Sequence, residues 1–122
     1  MKIRIRGNSV RIRLSQSELH LFENEGYLQD TTDFGSNVFT YALKKVVGEN
    51  LNADLSNNTI TVTVPEQLME NWCSTNLTSL EHHLPVNENS YLYILLEKDF
   101  KCIDSPVTED QSDYFDNPVK SC

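Results

Sequence analysis

The sequence is short of the features that most often reveal a function. Its 122 residues include only three cysteines and four glycines. Cys73, Cys102 and Cys122 form no Cys-x-x-Cys pair, which excludes a zinc ribbon and a dithiol redox motif. The glycines are scattered, so there is no glycine-rich phosphate loop. Neither a nucleophile elbow, nor HExxH, nor the spacing of a Ser/His/Asp or Cys/His site is present.

Long hydrophobic runs are also missing. No apolar stretch approaches the roughly 20 residues that a transmembrane helix needs. Met1 is followed directly by an alternating segment rather than by the apolar core of a signal peptide. The odd number of cysteines is typical of reduced thiols. We therefore expect a cytoplasmic protein with no membrane association.

Positive charge is scarce and unevenly placed. The chain has 10 Lys and Arg against 18 Asp and Glu, a net charge of −8. This excess of acid argues against a general nucleic-acid binder, because most of the surface would repel the phosphates. Half of the cations nevertheless lie in the first 13 residues, namely Lys2, Arg4, Arg6, Arg11 and Arg13. Residues 99–122 are acidic, with six acids and two lysines.

What the sequence does contain is a repeated pattern. Residues 2–14 form two alternating segments around the turn Gly7-Asn8, and the same arrangement returns at residues 52–64 around Asn57-Asn58. Apolar positions coincide in the two copies, as at Val10 and Ile60, although the two sequences share only one identical residue. Gly and Asn are the residues that two-residue hairpin turns prefer. The pattern predicts two equivalent β-hairpins.

A short helix is predicted after each hairpin. Ser15 and Glu18 have the spacing of a capping box, which satisfies free amides at a helix start. Gly26 is placed to end this helix, since glycine adopts the left-handed conformation freely. In the second copy Trp72 replaces Phe22 as the large buried side chain. The helices should therefore occupy equivalent places.

Two further strands complete each copy, at about residues 27–33 and 37–45 and again at 77–84 and 91–98. Alternation aligns Tyr41 with Tyr93, and the last strand is apolar on both faces, which favours a central position. We predict an α+β fold of about eight antiparallel strands, in a sheet or open barrel, with two short helices. The arrangement is a pseudo-two-fold duplication of a ββαββ unit. One domain, residues 1–122, would contain repeats 1–45 and 51–98 and an acidic closing segment, 99–122.

The register of the first hairpin places cations opposite one another, Arg4 facing Arg11 and Lys2 facing Arg13. Directly opposed like charges are destabilising by up to about 1 kcal/mol per pair. Lys2, Arg4, Arg11 and Arg13, here named the cationic ladder, therefore need an anion. Either the closing segment supplies it, or the face is open to a small anionic ligand or a protein partner. The sequence favours the closing segment, because covalent attachment gives it a high effective concentration.

A metal site is the second functional possibility. The closing segment combines a thiol with several carboxylates, in Cys102, Asp104, Glu109, Asp110 and Asp113. A soft thiolate with hard carboxylates suits zinc or a similar ion better than calcium. His82 and His83 are adjacent on a predicted strand and would point to opposite faces, so they could not share an ion there. An enzyme working from Cys102 or a histidine is the third possibility.

Three stretches carry a family resemblance: the opening MKIRIRGNSVRIRL, the segment TYALKK at Thr40–Lys45, and the closing motifs EKDFKCID, EDQSD and NP. Together they resemble a family of short bacterial proteins characterised only as a domain of unknown function. The resemblance extends from Met1 to about Pro118, so it implies that the closing segment belongs to the domain. It implies no activity. With no catalytic spacing in the chain, we expect a small non-catalytic binding or interaction protein.

Overall fold

The computed structural model describes residues 1–100 and 113–116. Within them the elements are β1 (Lys2–Arg6), β2 (Ser9–Leu14), α1 (Gln16–Glu25), β3 (Tyr27–Asp33), β4 (Val38–Val46), β5 (Asn52–Ser56), β6 (Thr59–Pro65), α2 (Glu66–Ser74), β7 (Ser79–Asn87) and β8 (Ser90–Lys98). The predicted α+β fold with two ββαββ units is confirmed. None of the helices in these ranges is long and apolar enough to cross a membrane.

The strands form two four-stranded sheets. The order is β1-β2-β8-β7 in the first sheet and β3-β4-β6-β5 in the second. Each sheet therefore joins the opening hairpin of one copy to the closing hairpin of the other. Exchanging the copies turns one strand order into the other, so the pseudo-two-fold relation exchanges the sheets.

Strand direction departs from the prediction in one respect. The four hairpin pairings are antiparallel, as expected, but β2 and β8 run parallel, and so do β4 and β6. The sheets are thus mixed, and within residues 1–100 and 113–116 the strands form two separate sheets rather than one continuous sheet or a barrel. Apolar alternation reports which face of a strand is buried but not the direction of its neighbour. Strands from different copies are also free of the constraint that a short turn imposes.

The last strands of the two copies, β4 and β8, correspond with an offset of one residue from the predicted alignment. In the parallel pairs Tyr41 lies beside Ile60, and Ile94 lies beside Val10. Because Val10 and Ile60 are equivalent, Tyr41 corresponds to Ile94 and not to Tyr93. A shift of one residue moves a side chain to the opposite face of a sheet. Ile94 is therefore in the core, with 0% exposure, and Tyr93 is on the outer face.

Backbone hydrogen bonds confirm this alignment. The amide of Thr40 donates to the carbonyl of Asn58, and the amide of Tyr93 donates to the carbonyl of Asn8, each at 3.0 Å. Thr40 and Tyr93 are thus equivalent, which again pairs Tyr41 with Ile94. The prediction failed here because β8 has apolar residues on both faces, so alternation could not choose between them.

Side chains from both sheets and both helices meet in one buried cluster. Phe22 on α1 and Trp72 on α2, the predicted equivalents, are both fully buried. Burial of a large apolar side chain contributes about 1.5–3 kcal/mol to folding. The cluster takes the inner face of each sheet, with Ile12 in the first and Val62 in the second. Most of the polar and charged side chains of the strands lie on the outer faces.

The first helix begins and ends as predicted. The Ser15 side chain accepts a hydrogen bond from the Glu18 amide, and the Glu18 carboxylate accepts one from the Ser15 amide at 2.9 Å. Gly26 ends the helix with a φ of 71°, and its amide donates to the Phe22 carbonyl. The C-terminal end of α1 is thus fixed by the local chemistry of Gly26.

The second helix ends differently. Its last residue is followed by Thr75, which is extended, with a φ of −124°. The ammonium group of Lys98 donates to the Thr75 carbonyl at 3.0 Å. Burial lowers the pKa of Lys98, which is only 7% exposed. A cation at a helix C-terminus satisfies free carbonyls and complements the helix dipole. Lys98 therefore replaces the glycine of the first copy.

Candidate functional site

The cationic ladder lies on the outer face of the first sheet. The strand pairing places Lys2 opposite Arg13 and Arg4 opposite Arg11, which is the predicted register. Arg6 stands at the end of the same row and was not included in the predicted site. All these side chains alternate with the apolar residues of β1 and β2, so they lie on the face opposite the core.

Glu97 is the anion that Arg11 and Arg13 share. Its Oε1 accepts hydrogen bonds from Nε of both arginines, with a distance of 2.6 Å to Arg13. Burial by itself raises the pKa of Glu97, but the bonds from the two arginines outweigh burial and hold the pKa below its usual value. Glu97 belongs to β8, which lies parallel to β2 and brings it opposite Arg13. These two cations are thus neutralised by the neighbouring strand, which sequence reasoning missed because it did not pair β8 with β2.

Lys2, at the other end of the ladder, contacts the closing segment. Its ammonium group lies 3.0 Å from the Asp99 carboxylate and donates to the Tyr114 hydroxyl at 2.6 Å. It also lies 4.6 Å from the centre of the Tyr114 ring. Burial lowers the pKa of Lys2, but the bonds to Tyr114 and Asp99 outweigh burial and raise the pKa. Two described residues of the closing segment, Asp99 and Tyr114, therefore contact the cationic ladder at Lys2.

The described tail residues also dock on α1. The Asp113 carboxylate accepts a hydrogen bond from the Ser17 amide at 3.2 Å and another from the Ser17 hydroxyl, and both lower its pKa. The Gln16 amide donates to the Asp113 carbonyl at 3.0 Å. A carboxylate is favoured at a helix N-terminus by the free amides there. Phe115 packs against Phe100, with ring centres 5.8 Å apart.

Arg4 and Arg6 are the exposed cations that this arrangement leaves without an acid. Neither forms an ion pair with any residue in the described ranges, 1–100 and 113–116. Arg4 lies between two shallow depressions in the face, of about 190 and 200 Å³. The first depression is lined by Lys2, Ile3, Arg4, Arg11 and Arg13. The second is lined by Arg4, Arg6, Ser9, Val10, Arg11, Tyr93 and Leu95.

Aromatic side chains continue this face on β7 and β8. His83 lies between Tyr91 and Tyr93, with ring centres 5.1 Å and 4.9 Å away. Tyr93 donates its hydroxyl proton to the Glu81 carboxylate, and this bond raises the pKa of Tyr93. Sequence reasoning aligned Tyr93 with Tyr41 and took both faces of β8 as apolar, so it did not identify Tyr93 as part of an outer face. The aliphatic pair at positions 94 and 96 was the signal that could have placed the tyrosines outside.

The second sheet provides an internal comparison. Its outer face is equivalent to the cationic face, but it carries neutral or acidic residues at the matching positions. Asp54, Ser56, Thr61 and Thr63 correspond to Arg4, Arg6, Arg11 and Arg13. A duplicated fold does not need arginines at these places in order to form. The cationic face of the first sheet is thus a departure from the shared scaffold.

The predicted metal ligands lie almost entirely outside the described residues, and this holds for Cys102, Asp104, Glu109 and Asp110. Asp113 is described and contacts Ser17. Among residues 1–100 and 113–116, no group of three or more His, Cys, Asp and Glu is placed to hold a metal ion. His82 and His83 sit at successive positions of β7, opposite Ile94 and Tyr93. A zinc-like ion in the closing segment stays a prediction.

Comparison with known proteins assigns the chain to a family, but the description of that family states no activity. The model of a family of unknown function, DUF7009, matches residues 1–119. No curated protein and no solved structure matches the chain.

Proposed function

We propose that this chain, which belongs to DUF7009, a family of unknown function, is a non-catalytic binding protein. In this proposal its cationic face holds an anionic group of the ligand. The observation that carries this proposal is the exposure of Arg4 and Arg6 together with their lack of an acidic partner among the described residues. Arg11 and Arg13, in contrast, share one. The face is positive within a molecule whose net charge is −8.

The chemistry of arginine supports an oxyanion as the ligand group. The planar guanidinium group donates two parallel hydrogen bonds to a carboxylate or phosphate, and it is weakly hydrated. Arg4 faces Arg11 across the hairpin, so the native strand pairing holds like charges together. An anion between them would relieve this repulsion. The shallow depressions beside Arg4 give such a group a place.

The described thiol supports binding over nucleophilic catalysis. Cys73 is half-buried, and burial, with a smaller contribution from Glu23, raises the pKa of its thiol to about 11. A thiol with so high a pKa stays protonated at neutral pH, whereas the thiolate is the nucleophile. Cys73 therefore stays a thiol, and its side chain packs against the hydrophobic core.

The test is a binding measurement with two simple probes, inorganic triphosphate and a peptide of six glutamates. At a concentration of about 100 times Kd, a ligand stabilises the folded state by about 2.7 kcal/mol, which raises Tm by several degrees. We expect such a rise with at least one probe at low ionic strength. The rise should shrink in high salt, because the charges on this face are exposed and screened.

Matched variants locate the site. The double substitution Arg4→Gln with Arg6→Gln should abolish most of the rise in Tm. The control, Lys44→Gln with Lys45→Gln, changes the net charge by the same amount on β4, where both lysines are exposed. It should leave the rise intact. If neither probe binds, or if both double variants lose binding equally, the proposal is wrong.

A further inference from the structure

One depression on the cationic face combines positive charge with an aromatic ring. It has a volume of about 200 Å³, and Arg4, Arg6 and Arg11 line it together with Tyr93 and Leu95. Arg4 and Arg6 have no acidic partner in the part of the chain that the structure describes. The depression therefore offers free guanidinium groups beside an apolar, partly aromatic wall. Inorganic anions would use only half of this lining.

The strand register fixes the distance between the cationic side and the aromatic side of this depression. Arg6 faces Ser9 across the first hairpin, Ser9 lies beside Tyr93, and Tyr93 faces His83. These four residues form one row across all strands of the first sheet. Neighbouring strands lie about 4.8 Å apart, so the backbones at Arg6 and Tyr93 are roughly 10 Å apart. An arginine side chain is long enough to span much of this distance from the side of β1.

The aromatic side of the face is held in place. Tyr93 is anchored through its hydroxyl to the Glu81 carboxylate. His83 contacts Tyr93 and Tyr91, and Tyr91 is 57% exposed. Rings fixed on a sheet surface stack on planar bases at a low cost in side-chain entropy, and such stacking tolerates any base.

From this juxtaposition we propose that the ligand of the cationic face is a nucleotide, with its phosphates on Arg4, Arg6 and Arg11 and its base against Tyr93. The inference rests on the proposed anion-binding function and names the ligand class for the same face. The phosphate oxygens accept hydrogen bonds from the guanidinium groups, and the base covers the apolar wall at Tyr93 and Leu95.

Net charge limits the size of the ligand. A molecule with a charge of −8 repels a long polynucleotide over most of its surface. Glu97 and Glu81 flank the positive face on β7 and β8, which narrows it further. A mononucleotide or a few nucleotides of a single strand fit within the positive area. The charge argument against a general nucleic-acid binder is therefore compatible with this smaller ligand.

The experiment titrates the full chain calorimetrically with four probes: ATP, inorganic triphosphate, adenosine and a single-stranded pentathymidylate. Because stacking adds to the phosphate contacts, ATP should bind at least about fivefold tighter than triphosphate. Adenosine should bind far more weakly than either. If the pentathymidylate binds tighter than ATP, the nucleotide belongs to a short single strand; if weaker, it is a free nucleotide. Both results support the proposal.

Two variants and a control test the ring. Tyr93→Leu should lower the affinity for ATP to that for triphosphate and leave triphosphate binding unchanged, whereas Tyr93→Phe should keep the preference for ATP. The control is Tyr27→Leu, which removes an exposed tyrosine on the outer face of the second sheet. It should have no effect. Should Tyr93→Leu fail to fold, the comparison of ATP with triphosphate in the unaltered protein still decides.

Equal affinity for ATP and triphosphate would overturn the nucleotide inference and leave the anion-binding function standing. So would an unchanged preference for ATP in Tyr93→Leu. Binding of the glutamate peptide without binding of ATP would identify a carboxylate ligand and also overturn it. Absence of binding by triphosphate, the glutamate peptide and ATP alike would overturn both proposals.

Discussion

At the scale of single residues, Glu97 decides how much of the positive face is available. It holds Arg11 and Arg13 through one oxygen and leaves Arg4 and Arg6 to solvent. Its side chain is only 18% exposed, so the pair of bonds is less screened than an ion pair at a fully exposed site. The same carboxylate thus stabilises the fold and competes with any anionic ligand for Arg11.

Replacing Glu97 should therefore separate stability from binding. We expect Glu97→Gln to lower the free energy of unfolding by about 1–2 kcal/mol, because two partly buried guanidinium groups lose a charged partner. The same variant should bind inorganic triphosphate more tightly than the unaltered protein. Urea unfolding and calorimetry measure the two effects. Glu49→Gln, in the exposed linker between β4 and β5, is the control and should change neither quantity.

The stabilisation by Glu97 should also depend on pH. Because the folded pKa of Glu97 is lowered, its contribution is fully present above the ordinary glutamate pKa of about 4.3 and is lost as the pH falls through the lower folded value. The stability difference between the unaltered protein and Glu97→Gln should thus be constant near neutrality and shrink below about pH 4. A difference that persists at lower pH would show that Glu97 acts through its shape and not its charge.

At the scale of elements, the described residues of the closing segment, 99–100 and 113–116, pack against the rest of the fold. Asp113 binds the first turn of α1, Tyr114 contacts Lys2 and Phe115 packs on Phe100. The sequence predicted such docking because the cationic ladder needs an anion and the closing segment is covalently attached, and it placed the contact on that ladder. In the described residues, Asp113 contacts α1 rather than the ladder. A helix N-terminus attracts carboxylates through its free amides, which a count of basic residues does not include.

Truncation after Cys102 tests this docking. We expect a loss of about 1–3 kcal/mol in the free energy of unfolding, from the Phe115 contact and the Asp113 bonds together. The part due to Asp113 and Lys2 should shrink in high salt, and the part due to Phe115 should persist. Removal of residues 120–122, beyond the family match, is the control and should have no effect. An unchanged Tm after truncation at Cys102 would contradict the docking.

At the scale of the whole molecule, the two copies depend on each other for their sheets. Each sheet takes one hairpin from each copy, joined by a parallel pair in its centre. An isolated two-stranded hairpin is only marginally stable in water. Neither copy therefore contains a complete sheet, although each contains the full list of elements.

Cutting the chain in the linker should demonstrate this dependence. Val47 is 90% exposed, so a break after residue 48 disturbs no buried contact. We expect fragments 1–48 and 49–122 to be unfolded as separate monomers and to regain the native circular dichroism spectrum when mixed in equal amounts. The reason is that β2 and β4 each pair with a strand of the other copy. A folded, monomeric fragment 1–48 in sedimentation experiments would contradict this arrangement.

Features that depend on residues close together in the chain were predictable. The capping box of Ser15 and Glu18, the end of α1 at Gly26 and the register of Arg4 with Arg11 follow from spacing alone, since caps and hairpin turns are local. The duplication was predictable as well, because both copies bury the same hairpin positions. The candidate site was predictable to the extent that it lies on one hairpin.

Everything that depends on which strands meet across the molecule required the tertiary structure. The amino-acid sequence by itself determined the ββαββ units and the row of cations, through alternation, capping and turn chemistry. It could not determine that β8 runs parallel to β2, because alternation carries no direction and both faces of β8 are apolar. That one pairing brings Glu97 to Arg11 and Arg13, turns Tyr93 outward, and leaves Arg4 and Arg6 without an acid in the described chain.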